Sequence, residues 1–211
     1  MILQKCERGQ REQLQAAMGC TRLGIPWRTS AEVGIAEECH VGSVEWCQQA
    51  LRFAPHPNYY PYWLSSFWQR QIFSSPHGCV VGYASVFAKP ALAYKTGQAK
   101  VYQPGENIPP YSICSGVVKF VQEWRYYVAD GELLAAGWYD GNDEDEPAPD
   151  LDIDWPKRFC GAVDFGRIDT GEIALVECHH PYACGNYLEA DECEAWAMWL
   201  ELGWEWTLKR I

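Results

Sequence analysis

Asp164, Glu177 and His179 are the side chains whose types and spacing most directly suggest chemistry. They belong to the run Val163-Asp164-Phe165-Gly166-Arg167-Ile168-Asp169-Thr170-Gly171-Glu172-Ile173-Ala174-Leu175-Val176-Glu177-Cys178-His179, which reads as strand, tight turn, strand. Asp169-Thr170-Gly171 supplies turn chemistry between two apolar runs. Alternate residues of a strand share a face, so Glu177 and His179 point the same way and Asp164 can sit across from them. Two carboxylates meeting a third polar ligand suit a Mg²⁺–nucleotide site, because Mg²⁺ takes hard oxygen ligands and completes its octahedron with phosphate and water. Polar residues alternating out of a sheet are equally the mark of a solvated hairpin face, and both readings stand at this stage. Cys178 lies between Glu177 and His179, points to the opposite face and is not read as a nucleophile.

Basic groups that could face such a site lie upstream. Phe87-Ala88-Lys89-Pro90 ends a strand, which places Lys89 at a sheet end within reach of a phosphate. Ala93-Tyr94-Lys95-Thr96-Gly97-Gln98 reads as a flexible turn, where Gly97 lets backbone N–H groups approach an anion and Lys95 adds a charge. In Gln122-Glu123-Trp124-Arg125-Tyr126-Tyr127-Val128, Glu123 and Arg125 share one strand face and Trp124 and Tyr126 the other. Arg125 suits bidentate binding of phosphate or carboxylate. Exposed loop lysines and a surface Glu–Arg pair are the plain alternatives.

The elements that must position these groups follow from periodicity. Helices are predicted over residues 8–20, from Ser43 as N-cap through Leu51, over Trp63 to Phe73, and over Asp191 to Leu202. Between Val80 and Tyr139 the pattern is one of strands, with Ala129-Asp130-Gly131-Glu132 as a hairpin turn. A short helix is expected near Pro156 to Cys160, and a last strand at Glu205 to Leu208. The fold class is α+β, helix-rich first and antiparallel sheet with helices after.

Composition narrows the function. A formal charge of −11 over 211 residues argues against a nucleic-acid backbone as partner. The acidic run from Asp140 to Asp154 reads as a solvated loop. Eleven Trp and twelve Tyr point mainly to packing, since the C-terminal Trp residues fall at near-helical spacing. Ten Cys without a Cys-x-x-Cys pair read as reduced, buried thiols. Cys178, His179, Cys184 and Cys193 are the one grouping that resembles a zinc tract. No signal-peptide or membrane-spanning run is seen, and the expected setting is cytoplasmic.

The order of these signals resembles the ATP-grasp superfamily. The likeness lies in Lys89-Pro90 (the superfamily's "VKP"), in Val163-Asp164-Phe165, and in Val176-Glu177-Cys178-His179 (its "EVN"). It is closer to a compact ATP-grasp subfamily of phage and bacterial genomes and spans most of residues 40–190. The resemblance implies a pre-ATP-grasp-like subdomain over 1–78 and a nucleotide-binding region over 79–211. Lys89 and Lys95 would hold ATP phosphates. Val118, Lys119 and Phe120, in the hinge from Val117 to Val121, would lie along adenine. Glu123 belongs to the same cofactor-binding set, and Arg125 would face phosphate or an acyl phosphate. Asp164, Glu177 and His179 would hold the metal, Mg²⁺ or, because His179 stands where the superfamily usually has Asn, Mn²⁺. The activity implied is ATP-dependent joining of a small-molecule or peptide carboxylate to an amine through an acyl phosphate. The His179 departure and the short glycine loop keep open a nucleotide-binding or interaction module without catalysis, and the cysteines a zinc-stabilised adaptor. The oligomeric state is not legible.

Overall fold

The computed structural model describes residues 1–5, 10–53, 56, 58–92, 99–144 and 146–210. In chain order the elements are β1 (Ile2–Gln4), α1 (Arg11–Leu23), β2 (Arg28–Ser30), β3 (His40–Val41), α2 (Val44–Leu51), a 3-10 turn (Tyr62–Phe67), β4 (Ile72–Ser75), β5 (Cys79–Val80), β6 (Val86–Pro90), β7 (Lys100–Tyr102), β8 (Asn107–Ile108), β9 (Ser112–Gly116), β10 (Phe120–Ala129), β11 (Glu132–Gly141), β12 (Gly161–Ile168), β13 (Ile173–His179), a second 3-10 turn (Ala190–Glu192) and α3 (Cys193–Leu208). The class is α+β with an ATP-grasp type of layout. A four-stranded sheet runs β11-β10-β12-β13. The chain divides into two compact units, and the boundaries fall inside β10, β12 and β13.

One unit holds residues 1–54, 124–164 and 179–211. Its parallel sheet β2-β1-β3 carries α1 and α2. Ser43 caps α2 by accepting the Trp46 N–H at 3.2 Å, as its sequence predicts. α1 runs on to Leu23 and stops at Gly24, whose φ of 71° suits glycine. Gly19 is not the helix end expected from the sequence. A Cβ there would lie 2.0 Å from the Cys193 carbonyl oxygen, so the absence of a side chain lets α1 press against α3. α3 buries Trp196, Trp199 and Trp204. Their indole N–H groups donate to the carbonyls of Glu12, Val128 with Gly161, and Ala36, so burial leaves none of the three unsatisfied. The expected C-terminal strand is instead the last turn of α3. Gly203 does not end the helix, because it is the contact point for Pro181. No helix forms near Pro156 to Cys160.

The other unit holds residues 55–123 and 165–178. Its sheet runs β4-β9-β6-β7 with antiparallel pairing throughout. Strand alternation divides the faces. Val86, Ala88, Tyr102 and Cys114 pack with Val81, Ile108 and Phe73 into a small core. Phe87, Lys89, Val101 and Ser115 leave by the other face. The long helix expected over Trp63 to Phe73 is replaced by the 3-10 turn and β4. Ser65 and Ser66 favour local turns over a helix interior, and Gln69 bends the chain at φ 47°. Among the described residues, no helix is long and apolar enough to cross a membrane.

Candidate active site

In the second unit, β6 presents Lys89 on the open face of its sheet. The Nζ donates to Glu177 Oε2 and lies 3.6 Å from the centroid of the Tyr59 ring and 5.0 Å from that of Tyr60. The Lys89 side chain is 8% exposed and that of Glu177 26%, so the ammonium is enclosed while the carboxylate keeps a wet edge. The Cys178 N–H donates to the Tyr59 carbonyl at 2.9 Å, which pins the aromatic segment alongside β13.

Lys89 and Glu177 open onto a cavity of about 320 Å³. Val117, Val118 and Phe120 line it from the hinge, and Phe87 and Val101 from the sheet. Residues 117–119 are outside any strand, which leaves their backbone groups available along an edge. Lys119 lines a separate hollow with Asp169 and Glu172, and its carbonyl accepts the Asp169 N–H at 3.0 Å. Glu123 is half-buried and packs beside Gly166 instead of lining the cavity. Lys95 lies outside the described residues.

Arg70 also lines the cavity and was missed as a site residue. Its Nη1 donates to the carbonyls of Leu175 at 2.7 Å and Trp68 at 3.1 Å, and its Nη2 to that of Val176 at 3.3 Å. The guanidinium sits over the rings of Tyr60 at 5.4 Å and Phe120 at 5.5 Å. The available signal was the arginine directly ahead of a strand, too common a pattern to single out.

In the first unit, Arg125 grips Asp164 with both edges of its fork, Nε to Oδ1 at 2.7 Å and Nη2 to Oδ2 at 2.6 Å. Nη1 donates to the Gly185 carbonyl at 3.4 Å. The rings of Tyr139 and Tyr187 each lie 5.1 Å from the guanidinium carbon. His179 Nε2 is 3.2 Å from Asp164 Oδ2. Asp164 is 1% exposed. Burial alone would raise its pKa, but the charge and hydrogen bonds of Arg125, with the His179 contact, hold it below the usual value and keep it ionised. Burial likewise works against the Arg125 charge, and Asp164 outweighs it, so the pKa of Arg125 is raised.

Glu177 and His179 leave β13 on the same face, two residues apart on one strand. A zinc centre built on cysteines does not form. Cys193 is fully buried in α3, Cys184 donates to the His180 carbonyl at 3.1 Å, and among the described residues no cysteine joins a metal-ligand group. The described cysteines are free thiols.

Comparison with known proteins bears on this arrangement. A family described as an ATP-grasp domain, the second family of its clade, matches residues 67–197, well over half of the chain. No curated protein matches. Among solved structures, the chain is similar to a RimK domain protein ATP-grasp from Sphaerobacter thermophilus, at 9% identity and TM-score 0.49, covering 96% of this chain and 98% of that one. It is also similar to D-alanyl-alanine synthetase A from Vibrio cholerae, at 11% identity and TM-score 0.37, covering 100% and 98%. At these values neither likeness bears on activity. The family match spans β6, the hinge, Arg125 and the β12–β13 hairpin, and the chain therefore belongs to this ATP-grasp domain family.

Proposed function

We propose that this protein is an ATP-dependent carboxylate–amine ligase that forms an amide through an acyl phosphate. The observation that carries the reading is the cavity of about 320 Å³, which joins a half-open lysine–glutamate pair to an apolar hinge in one compact unit. A nucleotide needs those features together: a flat apolar slot for the base, free backbone groups along its edge, and a cation for the phosphates.

Within that reading Val117, Val118 and Phe120 cover the adenine, and Arg70 walls the slot as a cation already satisfied by carbonyls. Lys89 holds the phosphates. The metal donor set is Asp164, Glu177 and His179. Two carboxylates with one imidazole fit Mg²⁺ through oxygen, and the imidazole makes Mn²⁺ at least as suitable. When bound, the metal would neutralise phosphoryl charge. Three N–H groups of Arg125 are committed to Asp164 and Gly185, so it serves this site chiefly by keeping Asp164 ionised and oriented.

In the reaction, the substrate carboxylate oxygen attacks the γ-phosphorus of ATP and ADP leaves. The amine then attacks the acyl carbon and phosphate leaves, with one proton lost from nitrogen. The chain contributes position and charge, and no nucleophilic side chain is needed. The test is ADP release with Mg²⁺ or Mn²⁺ and mixtures of small carboxylates, peptides and amines. Release that requires both co-substrates and disappears in Lys89→Met supports the ligase.

The engagement of Asp164 by both Arg125 and His179 favours one second reading, a nucleotide-binding module that has lost catalysis. It predicts metal–ATP binding with no ADP release in any mixture.

A further inference from the structure

The pairing of Lys89 with Glu177 has a consequence for which form of the nucleotide can enter. We infer that Glu177 is a specificity device: it occupies the Lys89 ammonium until a divalent cation takes the carboxylate, so the cavity accepts a metal-bound triphosphate and disfavours a metal-free polyanion. This rests on the nucleotide-binding reading above.

The argument starts from Lys89. Its side chain is 8% exposed, and its contacts are the Glu177 carboxylate and the faces of Tyr59 and Tyr60. An ammonium is strongly hydrated, and aromatic faces alone replace little of that hydration. A cation that pulled Glu177 away without supplying a new anion would leave Lys89 enclosed beside rings. Metal alone is therefore opposed. A metal-free triphosphate meets the opposite obstacle. Glu177 lines the same cavity as Lys89, so the incoming phosphates face a carboxylate already seated on the charge they need. Like charges at that range in a partly enclosed site repel strongly.

When cation and triphosphate arrive together, the exchange is even. The cation takes Glu177, the phosphates take Lys89, and no charge is stranded. The Tyr59 ring keeps the ammonium in place during the exchange, because that contact does not depend on Glu177. The two ligands thus favour each other reciprocally, and couplings of this type are typically about 5- to 150-fold.

Metal also binds ATP in free solution, so the test uses gains of binding that solution chemistry does not supply. Nucleotide affinity is measured by calorimetry for wild type and Glu177→Gln, with Mg²⁺ and with EDTA. Wild type should bind Mg²⁺–ATP at least about tenfold more tightly than ATP in EDTA. Glu177→Gln should bind ATP in EDTA more tightly than wild type does under the same condition. A lost metal ligand alone would give no such gain. In the reciprocal variant, Lys89→Met, Mn²⁺ without nucleotide should bind measurably by electron paramagnetic resonance where wild type shows little binding. Absence of both gains, with wild type binding Mg²⁺–ATP normally, overturns the inference and leaves the nucleotide reading intact. Absence of Mg²⁺–ATP binding in wild type overturns the nucleotide reading itself and the inference with it.

Discussion

The two units solve the same problem, a carboxylate beside a cation, in opposite ways. Asp164 and Arg125 are almost fully buried, joined by two hydrogen bonds and flanked by Tyr139 and Tyr187. Lys89 and Glu177 share one contact on the wall of a cavity, with the carboxylate partly wet. A dry, bidentate pair is costly to separate because either partner left behind is an uncompensated buried charge. A pair with one wet edge can exchange partners. Fixed geometry belongs to the first pair and ligand exchange to the second.

Removing one partner from each pair should separate them most clearly. Arg125→Met strands Asp164 and should cost about 3–5 kcal/mol in urea unfolding. A loss under about 1 kcal/mol would show that Asp164 is not dependent on its guanidinium. Lys89→Met leaves Glu177 its contact with water and should cost only about 1 kcal/mol, while removing the response to Mg²⁺–ATP. Equal losses in the two variants would erase the contrast.

Acid should act on the first unit in two steps. His40 is buried between Trp46 and Trp204, accepts the Gly34 N–H at Nε2 and donates from Nδ1 to the Glu38 carbonyl. Burial holds its pKa below the ordinary 6.5, despite the partial offset from Glu38. The unfolded chain therefore takes up the proton first, and stability falls as pH drops below about 6.5. Asp164 has a folded pKa below its ordinary 3.8, so its contribution persists above that value and is lost as pH falls through the lower one. Urea midpoints measured from pH 8 to pH 3 should show both declines, and His40→Asn should flatten the upper one. Stability that rises from pH 7 to pH 5 would contradict the His40 assignment. The smallest effect concerns Tyr59. Phe should keep Mg²⁺–ATP affinity within about twofold, whereas Leu should weaken it about three- to tenfold, the range expected for one lost cation–π contact. An equal loss in both variants would point to the hydroxyl and away from the ring.

Much of this was legible in the sequence where local signals and tertiary demands agree. Asp130-Gly131 and Asp169-Thr170-Gly171 turn where turn chemistry puts them, and Asp130 and Gly131 take the φ values of 50° and 80° that such a hairpin needs. Ser43 caps α2 for the same reason. The failures lie where a tertiary contact overrides the local pattern. Gly19 and Gly203 look like helix ends but are contact points, for Cys193 and Pro181, inside helices that continue. β4 is a short strand whose pairing with β9 cannot be seen from Ile72-Phe73-Ser74-Ser75 alone. Around the site, alternation on one strand placed Glu177 with His179, but no local pattern reveals that Asp164 is claimed by Arg125 across 39 residues. Arg70 escaped notice because its partners are carbonyls more than a hundred residues away.

The most direct test of the account is the melting temperature of the protein with and without Mg²⁺–ATP, alongside Lys89→Met. A ligand present at a hundredfold its Kd adds about 2.7 kcal/mol to the folded state, or roughly 5–10 °C for a chain of this length. The account predicts a rise of that size in the wild type and none in the variant. No rise with ATP, ADP or GTP at millimolar concentration, or an equal rise in Lys89→Met, would contradict it.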